Sequence, residues 1–215
     1  MTTIYFADLD ILLKLAACDL LSELREHWRI PPNQCFVDER FKYTLNTSIT
    51  RSGNYSSAAL KRTAEFLNNH TTDITFNDPE EVIALDTNGI DKGERRIIIA
   101  TKEPAEQAQP FFLATGDKRA INTLAALPST DKVCQRISKR LQGRVICLES
   151  MMLTFIEMLG FEPVKAKVLA SRHNDKVAAD KTITAVFGSR EKAEEHNVRS
   201  ALQSYIAELP AQLLA

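Results

Sequence analysis

Glycine is scarce in this chain. Seven glycines among 215 residues include no glycine-rich phosphate loop, which excludes the nucleotide-binding folds built on one. Aromatic residues make up only 7%, so base stacking is not an evident mode of binding. Excess charge is missing too. The net charge is −1, and it shifts mildly along the chain, from −4 over residues 1–100 to +3 over residues 101–215. Composition therefore does not announce a nucleic-acid partner. Four cysteines, Cys18, Cys35, Cys134 and Cys147, lack C-x-x-C spacing. A zinc site is not indicated, and free buried thiols in a reducing compartment are expected. His27, His70, His173 and His196 are scattered, with no H-E-x-x-H pairing. No apolar run reaches the roughly 18–20 residues of a membrane span. Asp8, Asp10 and Lys14 interrupt the first apolar stretch, which argues against a signal peptide. A soluble, cytoplasmic protein without membrane contact is expected.

What is present is enough to bury a core: 44% of residues are apolar. Residues 3–8, TIYFAD, read as a short buried strand, and 10–26 as a helix. Pro31-Pro32 marks a break. A short strand is predicted at 34–38, a helix near 38–46 and a loop over 47–56. An amphipathic helix spans 57–69, and a strand is predicted over 72–76. Asp78 and Pro79 make an N-cap and first helical position. A helix over 94–103 precedes a clear strand at 110–115, PFFLAT. Helices at 117–126 and 130–142, then a strand at 144–148, complete the pattern. From residue 150 the chain is helical, with Gly188 as punctuation. Alternating strands and helices predict an α/β fold with a parallel central sheet flanked by helices. Residues 1–149 would form that domain and 150–215 a helical C-terminal extension.

Acids fall at telling places. Asp8 closes the first strand, with Asp10 two residues on. Glu94 opens a helix, and Asp117 follows the strand ending at Thr115. Ligands of parallel α/β sheets gather beyond the carboxyl ends of the strands, so the fold should bring Asp8 and Asp117 to one rim. Glu94 joins them if its helix starts at the same edge. Packed carboxylates repel and stay ionised only when cations neutralise them. Oxygen-only ligands suit Mg²⁺ or Mn²⁺. A pair of such ions about 3.5–4 Å apart supports phosphodiester hydrolysis. Each acid also has a plainer reading: Asp8 as a turn residue, Asp10 and Asp117 as helix caps, Glu94 as a complement to a helix dipole. Glu149, at the end of the last strand, reads either as a rim acid or as part of a helix cap.

Three segments carry a resemblance to a known family. IYFADLDILLKLA at 4–16, GERRIIIA at 93–100 and FFLATGDKRA at 111–120 resemble, in order and spacing, the motifs of PIN-like domains. These are metal-dependent ribonucleases, some of them toxins restrained by an antitoxin-type protein partner. The resemblance implies catalytic metal ligands at Asp8, Glu94 and Asp117 with Mg²⁺ or Mn²⁺. It makes Asp10 an accessory ligand and has Thr115 orient a ligand or water. One position departs. The family commonly has another acid on the helix after its second strand, and the best register puts Thr44 there. Asp38 and Glu39 lie just upstream, and a shifted register would bring Glu39 into that role.

Basic residues follow the acids. Lys118 and Arg119 adjoin Asp117, and Arg136 and Arg140 share a helical face four residues apart. They read either as phosphate-binding residues for RNA or as a solvated face. A homodimer is compatible with the C-terminal helices. Two other functions stay in view. One is a non-catalytic PIN-like binding module, motivated by Thr44. The other is a haloacid-dehalogenase-like phosphatase, motivated by Asp8-Leu9-Asp10. The latter departs from its motif at Leu12 and after Asp117.

Overall fold

A computed structural model describes residues 3–27, 34–49, 54–72, 78–174, 180–188 and 193–215. Its first strand, β1 (Ile4–Ala7), runs directly into α1 (Leu9–Ala17). Asp8 makes that junction: its Oδ1 accepts from the Ile11 backbone N–H at 2.7 Å and caps the helix. The helix predicted over 10–26 is two helices, α1 and α2 (Leu21–His27), because Asp19 turns the chain with φ 55°. Aspartate tolerates that left-handed conformation better than most side chains. Next come β2 (Cys35–Asp38) and α3 (Arg40–Thr44), then a wider π-helical turn over Leu45–Ile49. That turn takes in the first residues of the predicted loop. The expected Pro31-Pro32 break, residues 50–53 of the loop and residues 73–76 of the predicted strand lie outside the described residues.

The middle of the chain supplies α4 (Ser57–His70), β3 (Thr71–Thr72), α5 (Pro79–Thr87) and α6 (Lys92–Ala100). Asp78 and Asp91 cap α5 and α6 through their side chains. The helix predicted over 94–103 ends at Thr101, and a short α7 (Lys102–Glu106) follows. Pro104 accounts for the interruption, since it has no N–H to continue the ladder. Then come β4 (Phe111–Thr115), α8 (Lys118–Ala125), α9 (Lys132–Leu141) and β5 (Val145–Cys147). Four helices close the chain: α10 (Leu148–Leu159), α11 (Phe161–Asn174), α12 (Lys181–Val186) and α13 (Glu195–Ala207). Gly188 stands just beyond α12 at φ 68°, as the punctuation reading expects.

The strands form one parallel sheet in the order β3-β2-β1-β4-β5. Tyr5 and Phe6 align with Cys35 and Phe36 on one side, and Ile4 to Ala7 align with Phe111 to Ala114 on the other. Strand order reverses between β1 and β4, which is where ligands bind in open α/β sheets. Aromatic packing holds the centre. Phe6 stacks on Phe36 with centroids 5.6 Å apart and meets Phe111 edge-on at 6.3 Å. Ile11, Leu12, Leu15 and Ala16 of α1 are completely buried against this layer.

The C-terminal helices share that core. Met151, Phe155, Val198, Leu202 and Leu213 belong to the same apolar cluster as the strands. The last residues return to the sheet. Val145 N–H donates to the Leu213 carbonyl at 2.8 Å, and Ala215 N–H donates to the Val145 carbonyl at 3.0 Å. The tail thus covers the β5 edge, which would otherwise present unpaired backbone groups. No helix among the described residues is long and apolar enough to cross a membrane.

Candidate active site

The carboxyl ends of β1 and β4 meet through one hydroxyl. Thr115 Oγ donates to Asp8 Oδ2, and the same oxygen accepts from the Asp117 backbone N–H at 3.1 Å. Asp117 caps α8, its Oδ1 accepting from Arg119 N–H at 2.7 Å and Ala120 N–H at 3.3 Å. Glu94 reaches the same place from the first turn of α6, which packs over β1 and β2. It lines one small cavity with Asp8 and Thr115, walled otherwise by Ile97, Ile98, Leu113, Ala120 and Leu124. Asp8, Glu94 and Asp117 therefore converge at the switch point between β1 and β4, although 109 positions separate Asp8 from Asp117.

Electrostatics follow from those apolar walls. Burial pushes the Asp8 carboxyl up to about 7, and the nearby Asp10 charge adds to it. Thr115 and the Ile11 amide pull in the opposite direction. Glu94 is pushed up to about 8, first by burial, then by the charges of Asp91 and Asp117. A hydrogen bond with Asp117 contributes further. Glu94 Oε2 is buried without a hydrogen-bond partner. An orphaned carboxylate oxygen costs free energy unless a proton or a cation satisfies it.

Asp10 sits to one side. Its Oδ2 pairs with Lys14 Nζ at 2.6 Å, and Lys14 also pairs with Asp180, the cap of α12, at 2.9 Å. Burial works against the lysine charge, but these two carboxylates hold its pKa above the ordinary value. Gly116 leaves space for the Asp10–Lys14 pair. A Cβ there would stand 2.6 Å from Asp10 Oδ2.

The other expected residues are placed less favourably. Thr44 turns its hydroxyl to the Arg40 carbonyl at 3.3 Å. Glu39 is exposed and makes no side-chain cap for α3. Arg140 is committed inside the fold. Both of its terminal nitrogens contact the Glu81 carboxylate at 2.7 Å, and its Nε donates to Thr101 Oγ at 3.0 Å. Arg136 pairs with Glu80 at 3.1 Å, and Lys118 pairs with buried Glu149 at 2.7 Å. Arg119 remains largely exposed next to Asp117.

Asp38, outside the three sequence motifs, closes β2 at the same carboxyl end of the sheet that Asp8 follows on β1. β2 pairs with β1 through Tyr5–Cys35 and Phe6–Phe36. Asp38 is almost wholly buried and pairs with Arg96, two residues beyond Glu94 on α6. A signal existed: Phe6-Ala7-Asp8 and Phe36-Val37-Asp38 share one Phe-x-Asp pattern at two parallel strand ends.

No protein-family model, curated protein or solved structure matches the chain. The candidate site therefore stands on its own chemistry. Among the described residues, no group of three His, Cys, Asp or Glu side chains is preset as a metal cage. The donor set nevertheless suits a hard divalent cation. It consists of oxygens, two of its carboxyls are raised by burial and by neighbouring carboxylates, and Glu94 Oε2 is orphaned.

Proposed function

We propose that this chain is a PIN-like, Mg²⁺- or Mn²⁺-dependent ribonuclease. The observation that carries the reading is the convergence of Asp8, Glu94 and Asp117 around the Thr115 hydroxyl at the sheet's switch point. Asp8, Glu94 and Asp117 would hold the cation, whose bound state supplies a Lewis acid and a more acidic water. Thr115 fixes the orientation of Asp8 through its donated hydrogen bond. Asp8 Oδ1 is fixed in turn by the Ile11 amide, and each carboxylate oxygen keeps a lone pair for a ligand. The apolar walls of Ile97, Leu113 and Leu124 limit water behind the acids. Arg119, exposed beside Asp117, would meet a phosphate. Free buried thiols at all four cysteines suit a reducing cytoplasm. A restraining protein partner and a homodimer belong to the same reading, carried from the family resemblance.

The test is cleavage of labelled RNA by purified protein with Mn²⁺ or Mg²⁺, set beside Asp8→Asn and Asp117→Asn. The reading expects cation-dependent cutting that both variants abolish. Cutting that persists in both variants would refute it.

A second reading, an RNA-binding module that does not cut, draws support from two features. Thr44 supplies no carboxylate, and Arg96 already neutralises Asp38. RNA binding without any heat of Mn²⁺ binding would favour it. The phosphatase reading has less support. Leu12 and the Lys118-Arg119-Ala120 run after Asp117 depart from that family's motifs.

A further inference from the structure

Carboxylates line the rim at the ends of four strands, and fixed cations sort them. Asp38 ends β2, Asp8 follows β1, Asp117 follows β4 and Glu149 follows β5. The two outer acids are the deeply buried ones, at 1% and 2% exposure. Each has its own cation. Arg96 meets Asp38 with Nε on Oδ2 and with an Nη on Oδ1 at 3.4 Å. Lys118 meets Glu149 at 2.7 Å, and its ammonium also lies 4.4 Å from the centre of the Tyr205 ring. Both cations come from helices that carry or adjoin a central acid: Arg96 is two residues from Glu94, and Lys118 follows Asp117. Between these pairs lie Asp8 and Glu94, with no ion-pair partner among the described residues, and Asp117, with only the distant, exposed Arg119 at 3.7 Å.

We infer that Arg96 stands in for a second metal ion, so that the site takes one divalent cation, held by Asp8, Glu94 and Asp117. This inference rests on the ribonuclease reading and refines it. A second ion about 3.5–4 Å from the first would need further free carboxylate oxygens beside Asp8. On the β2 side, the strand-end acid is Asp38, whose Oδ1 accepts from the Arg40 amide at 3.0 Å and whose two oxygens both meet the Arg96 guanidinium fork. The fork is always charged and matches a carboxylate with two bonds, so a passing ion does not readily displace it. Arg96 is a positioning residue in this account. It keeps Asp38 out of the cation's coordination and supplies fixed positive charge on that flank.

The experiment is calorimetric titration of Mn²⁺ into full-length protein, with electron paramagnetic resonance of the loaded samples. Wild type is expected to bind one Mn²⁺ and to show the spectrum of an isolated ion. Arg96→Gln releases Asp38 and is expected to raise the stoichiometry to two, with spin coupling between the ions. The double variant Asp38→Asn/Arg96→Gln removes both charges together. It should keep a native circular-dichroism spectrum, bind one ion and hold affinity within about threefold of wild type. This variant decides the matter should Arg96→Gln alone fail to fold. Two coupled ions in wild type, or loss of binding in the double variant, would overturn the inference and leave a metal-dependent nuclease standing. No Mn²⁺ binding by wild type would remove the cation reading itself.

Discussion

Thr115 and Asp8 are joined by a hydrogen bond from the threonine hydroxyl to Asp8 Oδ2, across the strands where the sheet order reverses. Because Thr115 Oγ also accepts from the Asp117 amide, one side-chain oxygen sets the spacing of two site acids. Thr115→Val keeps the shape and removes the donor, leaving a buried carboxyl oxygen short of a partner. Such a loss costs about 1–3 kcal/mol. Urea denaturation should show that cost, and Mn²⁺ affinity should fall with it. Thr115→Ser should restore most of both. Equal behaviour of the Val and Ser variants would mean that the hydroxyl does not position Asp8.

The pH dependence of the cation-free protein has a definite sign. Asp8 is raised from 3.8 to about 7 and Glu94 from 4.5 to about 8. Between those values the folded protein holds protons that the unfolded chain has released. Stability from these two groups is complete below about pH 4 and is lost as pH rises through 7 and 8. Melting temperature in chelator should therefore fall between pH 5 and pH 8.5, beyond the fall seen in Asp8→Asn/Glu94→Gln. Mn²⁺ must displace these protons, so its affinity should rise over the same interval. An identical pH profile for wild type and the double variant would contradict the assignment.

Arg140 and Glu81 form the most enclosed ion pair described, with side chains 8% and 1% exposed. Removing one partner of such a pair strands a buried charge and costs about 3–5 kcal/mol. Arg140→Met should lower the midpoint of chemical denaturation accordingly. Arg136→Met, on the same helix face but exposed, should cost under about 1 kcal/mol. If Arg140 held RNA instead, its loss would weaken RNA binding while leaving the denaturation midpoint in place.

Gly116 tests the flank of the site. A methyl group there would press on Asp10 Oδ2 at 2.6 Å and Lys14 Nζ at 3.2 Å. The atoms it meets are side-chain ends that can shift, so Gly116→Ala should destabilise the protein by under about 1 kcal/mol through the weakened Asp10–Lys14 pair. Asp10→Ala should relieve part of that cost, so the two changes should be non-additive in a double-mutant cycle. Strict additivity would show that the crowding is not felt.

Much of this was legible in the sequence, for local reasons. Apolar runs ending in Asp or Thr marked β1 and β4, and Asp78-Pro79 marked the start of α5. The convergence of Asp8, Glu94 and Asp117 was readable because strand ends of a parallel sheet share one rim. What escaped was pairing at long range. Arg140 and Glu81 are 59 positions apart, and Arg96 and Asp38 are 58 apart. Helical spacing put Arg136 and Arg140 on one face but could not say that α5 brings Glu81 to meet it. Nor did the four-residue rhythm show that Asp19 would divide the first helix, since one backbone torsion decides that. The helical C-terminal extension is legible in the sequence and present in the fold. The burial of its helices in the common core, and the return of the tail to β5, depend on contacts that no local pattern encodes.

In the proposed site, three carboxylates distant in the chain share one cation. Anomalous diffraction from a Mn²⁺-soaked crystal tests it directly. The account predicts one strong manganese peak bounded by Asp8, Glu94 and Asp117, with Asp38 still held by Arg96. A saturating soak with no peak between those three side chains would contradict it.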